Sequence, residues 1–213
     1  MSGPSSEKQT KLELPPGEFK ALLFDCDGTI ADSMPLHYVA WCRALSEHGC
    51  VFPEDIFYAW GGTPAAEIIA TLGQQQGIAM PVEHVAHRKE TLYYGMLPQL
   101  RAVPEVLEEI ERNYTGARIP MAVVSGSTRD SVTRSLELLG LLDRFDTLVC
   151  AEDYTRAKPD PEPFLVAAQR LGVAPSDCLV FEDTAMGIHA ATAAGMASVK
   201  ILQPWERTLP TTS

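Results

Sequence analysis

Asp25 and Asp27 stand one residue apart at the end of an apolar run that stops abruptly, in the segment Ala21-Leu22-Leu23-Phe24-Asp25-Cys26-Asp27-Gly28-Thr29. Alternate side chains of an extended chain leave on the same side, so the two carboxylates project together and Cys26 faces away. Carboxylates held that close repel unless a cation or a shared proton lies between them. Folding requires no such pair, so its purpose is chemical. Three more polar clusters close apolar runs. Met121-Ala122-Val123-Val124 leads into Ser125-Gly126-Ser127-Thr128, a hydroxyl and a glycine where a helix should begin and where N–H groups and the helix dipole favour an anion. Ala151-Glu152-Asp153 leads on to Lys158-Pro159, which brings an ammonium to the sheet edge, with Pro159 expected to restrict the lysine backbone and start the next helix. Leu179-Val180-Phe181 runs into Glu182-Asp183-Thr184, a second carboxylate pair. Any one of these is as readily a turn, a helix lead-in or a solvated cap. Together in one chain they describe a site.

Their joint chemistry is that of phosphate transfer. Asp25, Asp27 and Asp183 offer hard oxygen ligands, which suit magnesium better than zinc or copper. Lys158 supplies a second positive charge, and Thr29 and Ser125, followed by Gly126, can donate hydrogen bonds to phosphoryl oxygens. An aspartate can then attack phosphorus to give an aspartyl phosphate that water later breaks. Asp27 is placed to give the leaving alcohol its proton and afterwards to activate that water. Phosphate monoesters are so inert that cation, lysine and in-line geometry must together supply over roughly 20 kcal/mol.

Elements able to hold these residues recur along the 213-residue chain. Strand-like runs occupy Ala21–Asp25, Ile119–Ser125, Thr147–Ala151, Cys178–Asp183 and Ser198–Ile201. Between them lie the helical stripes Val103/Val106/Leu107/Ile110, Val132/Leu136/Leu139 before Gly140, and Phe164/Ala168/Leu171 before Gly172, then an alanine-rich Ile188–Ala194 closing on Gly195. Strand and helix in alternation predict an α/β fold, a Rossmann-like parallel sheet with helices on both faces. One interval breaks the rhythm: residues 34–98 carry helical pattern without a convincing strand, beginning with Met34/Tyr38/Trp41/Leu45. They read as an inserted small α-helical cap domain, with residues 19–33 and 99–213 forming the core and the polar, proline-rich residues 1–18 a disordered tail.

A net charge of −11 argues against nucleic acid or an anionic membrane as a partner, so an anionic ligand needs local positive charge. No stretch suggests a membrane span or a secretion signal. Five cysteines without C-x-x-C spacing read as small buried hydrophobes of a reducing cytoplasm.

The four ordered clusters, Asp25-Cys26-Asp27-Gly28-Thr29, Ser125-Gly126-Ser127, Lys158-Pro159 and Glu182-Asp183, resemble the four motifs of the haloacid dehalogenase superfamily over residues 20 to about 200. The insert resembles the helical cap of its first subfamily. Asp32-Ser33-Met34-Pro35-Leu36-His37-Tyr38-Val39-Ala40-Trp41 is similar to the β-phosphoglucomutase-like group of sugar-phosphate phosphatases. The resemblance implies Asp25 as nucleophile and Asp27 as acid and base. It also implies magnesium bound by Asp25, the Asp27 main-chain carbonyl and Asp183, with Glu182 a ligand or a support behind the ligands. Asp27 argues against dehalogenase chemistry, which needs no acid there.

Within the group, a mutase must grip a second phosphate with cap cations. Between Arg43 and Arg101 this chain carries only Arg88 and Lys89, for which surface solubility is the plain explanation. Gly61-Gly62-Thr63-Pro64 lacks the arginine that such mutases usually carry. The expectation is therefore a phosphatase acting on a small phosphorylated metabolite, with a phosphomutase as the alternative and a phospho-receiver module, which would need neither cap nor Asp27, as the remaining reading. Ser33, His37 and Lys89 are candidates for substrate contact from the cap side. His37 could instead touch Asp27 or stand idle on a helix surface, and Trp41 reads as core. A monomer or weak homodimer is expected.

Overall fold

The computed structural model describes residues 12–203 and 206. Five short strands form its sheet: β1 (Ala21–Phe24), β2 (Met121–Val124), β3 (Thr147–Val149), β4 (Cys178–Glu182) and β5 (Ala197–Lys200). All neighbours are parallel, in the order β3-β2-β1-β4-β5. Parallel strands need crossovers, and the helices that supply them cover both faces. Leu22 and Phe24 point to one face, where they meet Val106 and Ile110 of α5 (Pro104–Thr115) and Val132 and Leu136 of α6 (Arg129–Leu139). Ala21 and Leu23 point to the other, against Phe164 and Ala168 of α7 (Glu162–Leu171) and Ala190 of α8 (Ala185–Ala193). The period-two alternation thus feeds two separate cores.

The chain reverses its direction of travel across the sheet at β1, which has β2 on one side and β4 on the other. Such a switch point leaves a crevice beyond the carboxyl ends of the strands. Register brings the ends into line there, since Phe24 pairs with both Val123 and Phe181. The Phe24 and Phe181 rings stack at 4.4 Å and 9°, fixing that alignment with side chains as well as backbone. Helices α6 and α7 stop where expected, at Gly140 and Gly172, both at φ 68°.

Between β1 and α5 lie α1 (Met34–Ser46), α2 (Glu54–Ala59), α3 (Ala65–Gln76) and α4 (Val82–Met96). They enclose an apolar cluster of their own that includes Trp41, Leu45, Phe52, Phe57, Ile69, Leu72 and Val85. Trp41 is buried there, beneath Phe52 in an edge-to-face contact. The expected tail lies outside the described residues up to position 11. Residues 12–18 form neither helix nor strand, with Leu12 packed on the core. The cysteines are all unbridged, and four of them are buried. Among the described residues, no helix is long and apolar enough to cross a membrane.

Candidate active site

β1 ends at Phe24, one residue earlier than expected, and Asp25 opens the loop beyond it. Its backbone still belongs to the ladder, because the Asp25 N–H donates to the Phe181 carbonyl at 2.9 Å. Lys158 reaches in from the β3–α7 segment. Its ammonium donates to Asp25 Oδ1 at 2.8 Å, Glu182 Oε1 at 2.7 Å and the Val124 carbonyl at 2.9 Å, using all three protons. Burial works against the lysine's charge, but the two carboxylates outweigh it and hold Lys158 firmly protonated.

Glu182, 1% exposed, is fixed from its other side by the Thr184 N–H at 2.8 Å and the Thr184 hydroxyl at 2.9 Å. That hydroxyl also accepts from the Gly187 N–H at 3.0 Å, so the first turn of α8 builds the Glu182 seat. Position 187 must be glycine, since a β-carbon there would lie 1.8 Å from Glu182 Oε1. Gly187→Ala is expected to push Glu182 off Lys158. It should cost about 2–4 kcal/mol in urea unfolding and most of the activity, because a buried ion pair loses one partner's position. Parental stability in that variant would contradict the packing argument.

Asp183 is buried and receives the Thr29 hydroxyl at 3.3 Å and the Gln203 amide at 2.6 Å. Gln203 also donates to the Gly28 carbonyl at 3.3 Å, tying the first loop to the end of the sheet. Gly28 sits at φ 87°, and a β-carbon there would meet Asp183 Oδ2 at 2.3 Å. Thr29 corrects an expectation. It is completely buried with its hydroxyl spent on Asp183, so it supports a carboxylate rather than facing a phosphoryl oxygen.

Oxygens of Asp25, Glu182 and Asp183 lie within 4.8 Å of one another. Burial, and then the neighbouring Glu182 charge against the pull of Lys158, pushes Asp25 up to about 7. Burial and Asp25 raise Asp183 well above the carboxylate range. One ammonium does not neutralise this cluster, and an all-oxygen donor set fits a hard divalent cation. Both Glu182 oxygens are held, by Lys158 and by Thr184, and both Asp183 oxygens accept from neutral donors, Thr29 and Gln203, while Lys158 takes only Oδ1 of Asp25.

The Asp27 carboxylate is turned to a different set of groups. Ser33 donates to its Oδ1 at 2.8 Å and Ser127 to its Oδ2 at 2.7 Å, while His37 Nε2 stands 3.6 Å from Oδ1. Burial opposes the charge, yet His37, Ser127 and Ser33 prevail and hold Asp27 well below the usual carboxylate range. His37 is itself shifted down, by burial and by Lys89, and so is a neutral imidazole at neutral pH. Its ring stacks on Tyr93 at 3.8 Å and 13°. Ser33 and His37, expected as possible substrate contacts, therefore sit on Asp27.

Surface solubility describes Arg88, which is paired with Glu47 at 2.8 Å, but not Lys89. Lys89 is 7% exposed, with its ammonium 5.6 Å from the Trp41 ring centre, 5.5 Å from that of Tyr93, and 2.7 Å from Glu90. The two rings and the glutamate make a place for a cation below the surface.

At the second cluster, the Ser125 N–H donates to the Val149 carbonyl at 2.9 Å, and Ser125 Oγ accepts from the Ser127 N–H at 3.0 Å. Helix α6 begins only at Arg129, whose N–H is taken by the Glu152 carboxylate at 3.1 and 3.2 Å. The protein thus fills that helix terminus with its own anion, and the loop before it exposes Gly126. Pro159 does not start a helix either: a turn intervenes, and α7 begins at Glu162. A cavity of about 290 Å³ adjoins Asp183, walled by Met34, Tyr58, Thr63, Thr184 and Met186 among others. Ser127, Gln203 and Tyr93 are site residues that sequence reasoning passed over. Ser127 lay inside a quoted motif, whereas no signal marked the other two.

Residues 22–201 match the family model described as haloacid dehalogenase-like hydrolase. The chain is 35% identical to the fructose-1-phosphate phosphatase YqaB of Escherichia coli K12, over 86% of this chain and 96% of that one. It is 34% identical to the validoxylamine A 7'-phosphate phosphatase of Streptomyces hygroscopicus subsp. limoneus, over 85% and 84%. The crystal structure of a β-phosphoglucomutase from Clostridium difficile superposes with a TM-score of 0.72 at 25% identity, over 84% of this chain and 83% of that one.

Proposed function

Because the chain belongs to the haloacid dehalogenase-like hydrolase family, we propose that it is a magnesium-dependent phosphatase that hydrolyses a small phosphate monoester, a sugar phosphate, through an aspartyl phosphate on Asp25. The observation that carries this reading is the meeting of Asp25, Asp183 and Lys158 beyond β1 and β4, with the Asp27 carboxylate held apart from them by two serines. Asp25, Asp183 and the Asp27 main-chain carbonyl would hold the ion. Bound there, magnesium offsets the carboxylate repulsion and draws charge from a phosphoryl oxygen.

The chain's own groups do the rest. Lys158 favours the ionised form of Asp25 and orients it for in-line attack, and Ser125 and the Gly126 N–H hold phosphoryl oxygens. The incoming phosphate raises the proton affinity of Asp27, which takes up a proton from solvent, gives it to the leaving alkoxide as the ester bond breaks and, ionised again, takes a proton from the attacking water. Ser33, Ser127 and neutral His37 keep its carboxylate in that line. Residues 34–98 act as a cap that closes over the ester and shapes the cavity beside Asp183.

Mutase chemistry is the alternative that the structural likeness to the Clostridium protein favours. Both cap cations between Arg43 and Arg101 are occupied by cap glutamates, Arg88 by Glu47 and Lys89 by Glu90, which favours release of phosphate to water. The unbridged cysteines support a cytoplasmic location.

The expected result is magnesium-dependent release of inorganic phosphate from p-nitrophenyl phosphate and from a panel of sugar monophosphates, reversibly stopped by EDTA. No phosphate from any ester overturns the reading, and an isomerised sugar phosphate as product gives the mutase. Asp25 must lose its proton to bind the ion. Apparent magnesium affinity should therefore fall at least about tenfold per pH unit below about 7 and level off only where Asp183, itself raised, has also lost its proton. A titration of activity against magnesium from pH 5.5 to 8.5 checks this, and a flat profile would contradict it.

A further inference from the structure

The geometry points to Tyr154 as a positioning residue for the phosphatase reaction proposed above, on which the inference rests: its hydroxyl locks the Ser125–Gly126 peptide so that the Gly126 N–H faces the transferred phosphoryl group. The Tyr154 hydroxyl donates to the Ser125 carbonyl at 3.1 Å. That carbonyl and the Gly126 N–H are opposite edges of one planar trans peptide, so fixing the oxygen fixes the direction of the N–H. The lock has something to hold. Glycine tolerates nearly any φ, so a peptide plane that precedes it turns over more easily than any other. Gly126 is exposed, and a β-carbon there would find only the Tyr154 hydroxyl, 4.0 Å away. Packing therefore does not hold this peptide in place.

Every other polar group of Ser125 is already arranged. Its N–H is on Val149, its Oγ accepts from Ser127, and its hydroxyl proton remains for a ligand. Just before it, the Val124 carbonyl is held by Lys158 at 2.9 Å. Two successive carbonyls at the end of β2 are thus gripped by the two ends of one segment, 154–158. Lys158 also orients Asp25, so the same segment aligns the attacking carboxylate and the N–H that receives the phosphoryl oxygen. The Tyr154 ring packs against the cluster containing Val149 and Phe164, which steadies the hydroxyl from below.

Tyr154→Phe keeps that packing and removes only the hydroxyl. The expected result is a drop in kcat/KM of about 5- to 20-fold and a matching rise in the inhibition constant of orthovanadate, with the thermal midpoint unchanged. In parallel, the Gly126 amide resonance of the ¹⁵N-labelled parent should shift on adding vanadate with magnesium, and that shift should shrink in the variant. An unchanged vanadate constant overturns the inference. So does an activity loss that tracks lost stability while the Gly126 response persists, because that is the mark of a purely structural tyrosine. If the parent releases phosphate from no ester, the underlying reading falls and the role of Tyr154 falls with it.

Discussion

Asp25→Asn should reduce turnover by at least about 10⁴-fold while leaving metal-free protein as stable as the parent or more so. An amide of the same shape cannot attack phosphorus and binds a divalent ion poorly, so both contributions vanish together. The stability half follows from the electrostatics. Asp25 is held up at about 7 against an ordinary carboxylate value of 3.8, because burial and Glu182 disfavour its charge more than Lys158 favours it. A carboxyl whose folded value is raised binds its proton more tightly in the folded state. The stability it contributes is present at acid pH and is lost as pH rises from about 4 to about 7. Above that, the buried ionised group is a liability on the order of 1–4 kcal/mol, which the amide does not carry. Thermal unfolding in EDTA between pH 5 and 8 should show the parent and the variant diverging as pH rises. Phosphate-release assays at saturating magnesium measure the other half. Retained turnover would remove Asp25 from the nucleophile's role. A variant less stable than the parent at pH 8 would mean that the Lys158 contact outweighs the repulsion.

That a carboxylate cluster costs stability also explains why it could be noticed in the sequence. The strands were legible because each is a short apolar run cut off by polar residues, and β1, β2, β3 and β4 keep the expected first residue or end within two of the expected last one. Gly140 and Gly172 were legible because a left-handed residue must stop a helix, and glycine does so at no steric cost. Four polar clusters at four strand ends could be placed at one edge of a parallel sheet without knowing any distance.

What could not be read depends on contacts between distant positions. Gln203 reaches Gly28 and Asp183 only because β5 lies beside β4, and nothing about an isolated glutamine after a strand says so. Lys89 looked like a surface charge because charge usually is one; two aromatic rings from different helices hold it below the surface. The start of α6 looked like an anion site, and the anion there is Glu152, supplied by the segment after the neighbouring strand. Thr29 looked like a donor for phosphate because it follows the aspartates, but the turn at Gly28 swings it onto Asp183.

Asp27→Asn separates the two halves of the proposed reaction. Its effect should depend on the leaving group. A sugar alkoxide is a strong base and departs only with a proton, so with a sugar phosphate the variant should lose about 10²- to 10⁴-fold already in the first step. p-Nitrophenolate is a weak base and needs no proton to leave. With that ester the first step should survive, giving a burst of nitrophenol near one equivalent of enzyme. The second step still needs a base to activate water, and an amide is none, so the phosphoryl group should remain on Asp25. The local geometry makes the substitution mild: one serine can still donate to the amide oxygen, the other can turn its hydroxyl to accept from the amide NH2, and the buried negative charge they now satisfy is gone. Rapid mixing with p-nitrophenyl phosphate would show the burst. Mass spectrometry of the acid-quenched variant would locate the added phosphate on a peptide containing residue 25. Equal rates of nitrophenol and phosphate release, with no burst, would show that Asp27 is not the base. A burst followed by parental turnover would leave the second step to another group, for which His37, 3.6 Å from the same carboxylate, is the nearest titratable side chain on the cap side.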